Sequence, residues 1–340
     1  MSISLFLESI KSKETRSNYQ LLFNKYAEFI GTDTDDLFYG NNPKLIEAKI
    51  IEFILHLKNK GKSYSAICNY VAPVKAFYKL NDIVMNDRKI SRFMPEQTKR
   101  KKDRGYTHPE ISKLLAIADE RMRVVVLVLA SSGIRLGALP LLRLRNLEDN
   151  KILTVYERHN QEYHTFITPE CAKAINDYLD MRLRYGEKLT DDSYLIREQF
   201  DIRDQFAIRN PKQIRTSSIL WNLITLAERC GIRNRKHDKN VRHEVKVAHG
   251  FRKFFTTQLV DADVKTEYRW LMEGHNLKAN DQYYVRISEQ KLYEEYEKAI
   301  NNLTINEENR LKARVEKLEV EKTQFQSLAA EIEMIKKKLK

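Results

Sequence analysis

The sequence predicts a mainly α-helical protein with one small antiparallel β-sheet, and three observations predict it. Gly (10) and Pro (7) are scarce in 340 residues, which favours long helices over frequent turns. Apolar residues recur at helical spacing through most of the chain. One region departs from that spacing: residues 151–156 and 163–167 read as two strands joined by a polar turn. Hydrophobic residues make up 42% of the chain, so most of it should fold, and the length allows two domains with their own cores.

Residues 1–94 read as a compact helical unit. Its stripes are Tyr19, Leu22, Phe23, Tyr26, Phe29 and Ile30, then Leu45, Ile46, Ile50, Ile54 and Leu57, then Ile67, Tyr70, Val71, Val74, Phe77 and Tyr78. Short loops such as residues 58–62 favour antiparallel neighbours in a small bundle. Residues 95–106 form a basic linker, in which positions 99–104 hold five Lys or Arg against one Asp. A second domain, 107–302, opens at Thr107-His-Pro-Glu110, a capping box with proline in the first turn. Helical patterns follow to Ser132. After the two strands, Thr168-Pro169-Glu170 caps a helix running to about Arg184, and from there to residue 302 the chain again reads as helical. In the last segment, 303–340, Leu311, Val315, Leu318, Lys322, Phe325, Ala329, Ile332, Lys336 and Leu339 alternate steps of four and three. That spacing is a heptad seam, suited either to packing back on its own domain or to clasping a second subunit.

A formal net charge of +13 and a pI near 9.4 point to a polyanionic partner. Residues 203–253 carry 13 Lys and Arg against 4 Asp and Glu, so much of the positive balance sits there. No run of eighteen apolar residues exists, and no membrane span is expected. The N-terminus lacks the basic start and apolar core of a signal peptide. Cys68, Cys171 and Cys230 are far apart and fit no metal or disulfide spacing, so buried free thiols in a reducing cytoplasm are expected.

Three short stretches carry the chemistry: Ser132-Gly-Ile-Arg-Leu-Gly-Ala138, Val247-Ala-His-Gly-Phe-Arg-Lys-Phe-Phe255, and Glu273-Gly-His275 running on to Tyr283-Tyr284. Arginine grips phosphate through two parallel hydrogen bonds, histidine moves a proton near neutral pH, and tyrosine is an oxygen nucleophile. Singly, each has an ordinary structural reading: a surface ion pair for Arg135, a structural histidine for His249, a loop cap for His275, core packing for one of 17 tyrosines. Their order and spacing lift the set above those readings.

That order, Gly-x-Arg, His-Gly-x-Arg, Gly-His and then Tyr nine residues on, resembles the tyrosine recombinase (phage integrase) family over roughly residues 10–300. The Tyr-Tyr pair, the Glu- and Tyr-rich segment from Ser288 to Ile300 and the heptad tail are most similar to archaeal integrases of viral or mobile-element origin. The resemblance implies a helical core-binding domain, a catalytic domain with a small sheet, and a coiled-coil-like C-terminal helix. It implies double-stranded DNA as partner and a tetramer on paired sites, joined through the C-terminal helix. It implies strand exchange through a 3′-phosphotyrosyl intermediate with no cofactor, metal or ATP. Arg135 and Arg252 then match the pair that clamps the scissile phosphate, His249 the residue that helps move the nucleophile's proton, and His275 a hydrogen-bond donor to the phosphate. Tyr284 matches the nucleophile, with Tyr283 one position short. Two departures stand out. Ala138 replaces a common carboxylate three residues after the first arginine. The turn 157–162 lacks the family's lysine that protonates the leaving 5′ oxygen, leaving Arg158, His159 or Lys151 for that role. The alternatives are a type IB topoisomerase, which shares the chemistry, and a DNA-binding protein that keeps the clamp without cutting.

Overall fold

A computed structural model of the chain describes residues 2–31, 42–97, 103–234, 243–275 and 287–338. The chain divides into two compact units, Met1–Arg100 and Lys101–Lys340. The first is a small helical bundle of α1 (Ile3–Glu8), α2 (Lys13–Ile30), α3 (Pro43–Asn59), α4 (Tyr64–Leu80) and the short α5 (Asp87–Ser91). Ser12, Asn42 and Ser63 each accept a backbone N–H in the first turn of the following helix, meeting donors that no helical carbonyl can reach. Phe6, Phe23 and Phe77 meet edge to face at the centre, with ring centroids 5.3–5.7 Å apart. Glu47, buried on α3, accepts from the Asn86 N–H and the Lys89 ammonium, both at 2.8 Å, and so fixes α5. Of the stripe residues read from the sequence, Leu45 is exposed and the rest of its stripe is buried.

The second unit is built around α7 (Glu120–Ser132). Val124 to Ala130 are all buried, so this helix is apolar on every side and packed all round. Against it lie α6 (His108–Ile117), α8 (Pro169–Arg184), α10 (Thr216–Arg229) and α11 (Val247–Asp261). The capping box at Thr107 is present in both directions, Thr107 accepting from the Glu110 N–H and Glu110 from the Thr107 N–H. Thr168 caps α8 by accepting from the Cys171 N–H. The sheet has three antiparallel strands in the order β1 (Leu147–Glu148), β2 (Ile152–Val155), β3 (Tyr163–Phe166). In register, Ile152 faces Phe166 and Val155 faces Tyr163. The two-residue β1 was absent from the sequence reading, because a strand that short has no periodicity of its own. Cys68, Cys171 and Cys230 are free, and burial pushes the Cys171 thiol up to about 12.

The expectation of continuous helix from Arg184 onward fails between α8 and α9 (Gln205–Arg209). Residues 186–204 are irregular, held by isolated bridges from Arg143 to Tyr194 and from Arg197 to Gln213. The physical reason is a buried ion cluster. Glu187 accepts from Arg182 (3.1 and 2.5 Å) and from Arg197 (2.8 Å), and all three side chains are almost fully enclosed. Three tethered charges override local helix propensity. The remaining helices are α12 (Thr266–Met272), α13 (Glu289–Glu297), α14 (Ile300–Leu303) and α15 (Glu307–Lys338). On α15 the heptad residues Leu311, Val315, Leu318 and Ile332 are 48–57% exposed, so these positions do not pack back onto their own domain. No helix among the described residues is long and apolar enough to cross a membrane.

Burial alone would raise the Glu187 pKa, but hydrogen bonds and charge from Arg182 and Arg197 outweigh it and hold the carboxyl below its ordinary value. Its stabilising contribution is therefore in force above the unfolded pKa of about 4.3 and is lost as pH falls through the lower folded value. Glu187→Ala strands two buried guanidiniums and should cost about 3–5 kcal/mol, read as a lower urea midpoint with unchanged slope.

Candidate active site

Two helix ends and one helix face make the site. α7 stops at Gly133, whose φ of +62° is left-handed. Gly133 must be glycine on a second ground: a Cβ there would lie 2.2 Å from the Phe255 ring of α11. The chain leaves the helix at this residue, and two positions on Arg135 emerges with its side chain exposed at the start of a 3₁₀ turn, Leu136–Leu141. α12 ends in a Schellman motif: the His275 N–H bonds Trp270 O at 2.8 Å and the Gly274 N–H bonds Leu271 O at 2.9 Å. Gly274 has φ +65°, and a Cβ would strike the Tyr163 ring at 2.5 Å. Each glycine thus turns the chain sharply and lets an aromatic ring lie against the turn, which presents the next polar residue to a common point.

Arg252, on α11, occupies that point and is 8% exposed. Its Nη1 donates to the Gly133 carbonyl at 2.9 Å, and its Nη2 donates to the Glu273 carbonyl at 2.5 Å and to His275 Nε2 at 3.1 Å. The guanidinium therefore bridges the ends of α7 and α12. Burial lowers its pKa, the Glu273 carboxylate opposes that, and the charge of Arg135 adds to the lowering. Arg135 also acts on Tyr163 and on His275, so four groups from separate elements share one electrostatic neighbourhood. Among the described residues the Arg135 guanidinium has no hydrogen-bond or ion-pair partner.

Arg135, Arg252 and His275 are thus brought together. His249 lies one turn before Arg252 on α11 and is exposed in the helix's first turn. Burial of the ring and then the charges of Lys246 and Lys253 lower its pKa, Asp103 opposing and Arg252 adding to the lowering. The His275 pKa is lowered by burial first and then by Arg252, with Glu273 opposing. Both shifts favour the neutral imidazole. Tyr283 and Tyr284 lie outside the described residues. In the β2–β3 turn, Arg158 ion-pairs with Glu157 at 3.5 Å and His159 is exposed, and just before β2 the Lys151 ammonium sits 4.7 Å over the Tyr293 ring. Among the described residues no group of three or more His, Cys, Asp or Glu could hold a metal ion.

Two residues join the site that sequence reasoning missed. Glu273 is 5% exposed, accepts from the Thr256 hydroxyl, and lies 3.6 Å from Arg252 Nη2 and 3.5 Å from His275 Nδ1. Tyr163 has a buried hydroxyl that closes no hydrogen bond of normal geometry with a described group. Burial, partly offset by Arg252, pushes its pKa up to about 12. Glu273 stood beside the Gly-His pair in the sequence, which was the one signal available. Tyr163 read only as a strand residue.

No protein-family model matches the chain, and no curated protein matches it. Solved structures do. The Tn1549 transposon integrase in complex with transposon right-end DNA is 17% identical, covering 82% of this chain and 98% of that one, with a TM-score of 0.52. A lambda integrase dimer bound to a COC′ core site is 12% identical, covering 82% and 93%, with a TM-score of 0.54. The XerH site-specific recombinase bound to its difH substrate is 17% identical, covering 82% and 78%, with a TM-score of 0.53. The chain has the tyrosine recombinase fold.

The site makes a titration prediction. His249 should titrate below the ordinary value of about 6.5, and Lys246→Ala should move it back upward by removing an opposing charge. Proton NMR of the imidazole resonances checks both; a value at or above 6.5 in the parent protein contradicts this electrostatic picture.

Proposed function

We propose that the protein is a site-specific DNA recombinase of the tyrosine type, cutting and rejoining duplex DNA. One observation carries this reading. Arg135, just past the end of α7, and Arg252, on the face of α11, converge beside His275, and the exposed Arg135 has no partner among the described residues, so the site has the electrostatics of a receptor for an anion with two accessible oxygens. The tyrosine recombinase fold and the basic stretch 203–253 support DNA as the source of that anion.

In the proposed reaction, the Tyr284 oxygen attacks the scissile phosphorus while its phenolic proton passes to neutral His249. The bond from phosphorus to the 5′ oxygen breaks, leaving a 3′-phosphotyrosyl link and a free 5′-hydroxyl. Arg135 and Arg252 hold the non-bridging oxygens and stabilise the charge that builds on them in the transition state. His275 adds a hydrogen bond. The proton for the leaving 5′ oxygen falls to His159, because a guanidinium with a pKa above 12 is a poor acid and the Lys151 ammonium is engaged by Tyr293. Attack by another strand's 5′-hydroxyl reverses the sequence. The phosphodiester energy is kept in the covalent link, so rejoining consumes no ATP.

The first unit serves as a core-binding domain, with residues 95–106 against the phosphate backbone. The exposed seam of α15 clasps a second copy of the chain, which brings four protomers onto paired sites. The source is a mobile element, of archaeal kinship by the Tyr-Tyr pair and the tail. The absence of lysine from the 157–162 turn favours a second reading, a DNA-binding protein that does not cut.

Nicked duplexes tiled across the DNA flanking the gene separate these readings. Incubated with chelator and quenched in detergent, they should give a covalent protein–DNA adduct with the parent protein and with Tyr283→Phe, and none with Tyr284→Phe. Loss only in Tyr283→Phe moves the nucleophile. No adduct on any tile despite tight, salt-sensitive binding supports the non-cutting reading, and relaxation of plasmid without a cognate site by monomer supports a topoisomerase. For assembly, deletion of residues 310–340 leaves the buried Ile305 and its bond from the backbone N–H to Glu170 in place. That deletion should weaken tetramer formation on paired sites at least about tenfold while sparing single-site binding, an effect of removing an avidity contact. Unchanged assembly in mass photometry removes α15 as the clasp.

A further inference from the structure

We infer that Glu273 is a positioning residue, its carboxylate holding Arg252 and His275 in register for the phosphate. This rests on the recombinase reading above and deepens it. A carboxylate that is 95% enclosed must be met by donors or positive charge, since an isolated buried anion costs several kcal/mol. Its donors are known: the Thr256 hydroxyl satisfies Oε1, while Oε2 lies 3.6 Å from Arg252 Nη2 and 3.5 Å from His275 Nδ1. One oxygen is thus fixed to α11 and the other is aimed between the two groups that would touch phosphate. The single Thr256 hydroxyl proton is shared between Glu273 Oε1 and the Arg252 carbonyl, so anchor and guanidinium sit on one turn of one helix.

The histidine contact has a direction. Arg252 can only donate, so His275 Nε2 accepts from it at 3.1 Å, which leaves the ring proton of the neutral imidazole on Nδ1, 3.5 Å from Oε2. A carboxylate behind the far nitrogen of a histidine fixes its tautomer and ring orientation. The groups whose charge reaches His275 are Arg252 on α11, Arg135 before the 3₁₀ turn and Glu273 after α12, and Glu273 is the one that favours protonation. It therefore offsets two guanidiniums that otherwise oppose a charge on the ring. The backbone adds a third tie, because the Glu273 carbonyl accepts from Arg252 Nη2 at 2.5 Å. Residue 273 thus meets Arg252 through both its carbonyl and its side chain.

The test uses the full chain on the nicked duplex that traps the adduct. Glu273→Gln keeps the shape and removes the charge. Single-turnover adduct formation at saturating DNA should slow about 10–100-fold, the range that a carboxylate orienting a histidine is worth. The DNA dissociation constant should stay within about twofold, because Glu273 makes no contact that depends on DNA. The His275 imidazole, followed by NMR, should titrate at lower pH in Glu273→Gln than in the parent. Glu273→Asp, which retains the charge one methylene further back, should fall between the two in rate and leave the titration nearer the parent. It also serves if the glutamine variant folds poorly. A parent-like rate with an unmoved His275 titration in Glu273→Gln overturns the inference. A merely structural role for Glu273 would lower the melting temperature without moving that titration, and this result also overturns it. Failure of the parent protein to form any adduct overturns the recombinase reading instead, and the titration then still decides whether Glu273 governs His275.

Discussion

The buried guanidinium of Arg252 is the constraint on which the site depends. Removing a charge of that size from water costs several kcal/mol unless its donors are met, and here they are met by the carbonyls of Gly133 and Glu273 and by His275 Nε2. Those acceptors belong to the ends of α7 and α12, where helical carbonyls have run out of helical partners. The arginine therefore does for two helix ends what capping side chains do elsewhere in the chain, and it locks α7, α11 and α12 into one arrangement. The left-handed glycines and the rings against them, Phe255 and Tyr163, are consequences of that closeness. A Cβ at Gly133 would push Phe255, and with it the helix that carries Arg252.

A second buried cluster in the same unit shows what a purely structural solution looks like. In Arg182, Glu187 and Arg197 the carboxylate lies between the two guanidiniums, which also donate to nearby carbonyls, while Arg197 Nε is left without a partner among the described residues. Nothing in that cluster faces outward. At Arg252 the arrangement differs in two ways. Its positive neighbour Arg135 has no partner among the described residues, and no carboxylate stands between the two guanidiniums as Glu187 does between Arg182 and Arg197. Like charges brought together and left underneutralised are costly in a resting protein and become favourable only when an anion binds.

Much of this was legible in the sequence because it was local. The capping box at Thr107, the cap at Thr168 and the stop at Gly133 are each written in three or four adjacent residues, and each appears where those residues place it. The β2–β3 pair was legible as two short runs rich in β-branched and aromatic residues. What could not be read was what depends on distant partners. The irregular path of 186–204 is set by charges on α8 and beyond, and β1 exists only through pairing with β2. The site followed the same rule. Of the residues that order along the chain singled out, Arg135, Arg252 and His275 are brought together by the fold, whereas Glu273 and Tyr163 join them only through burial. Tyr284 lies outside the described residues.

The relation between Ala138 and Glu273 follows from packing. Ala138 is 1% exposed within the hydrophobic core, so a carboxylate in its place would be buried among apolar side chains with a desolvation cost and no described donor waiting for it. Glu273 is equally enclosed, but it arrives beside a threonine hydroxyl, a guanidinium and an imidazole N–H. A buried negative charge is tolerable at the second position and not at the first. The same net charge placed by Glu273 also reaches further, since it lies against Arg252 and His275 together. Arg135 has no carboxylate partner among the described residues, and its side chain is exposed.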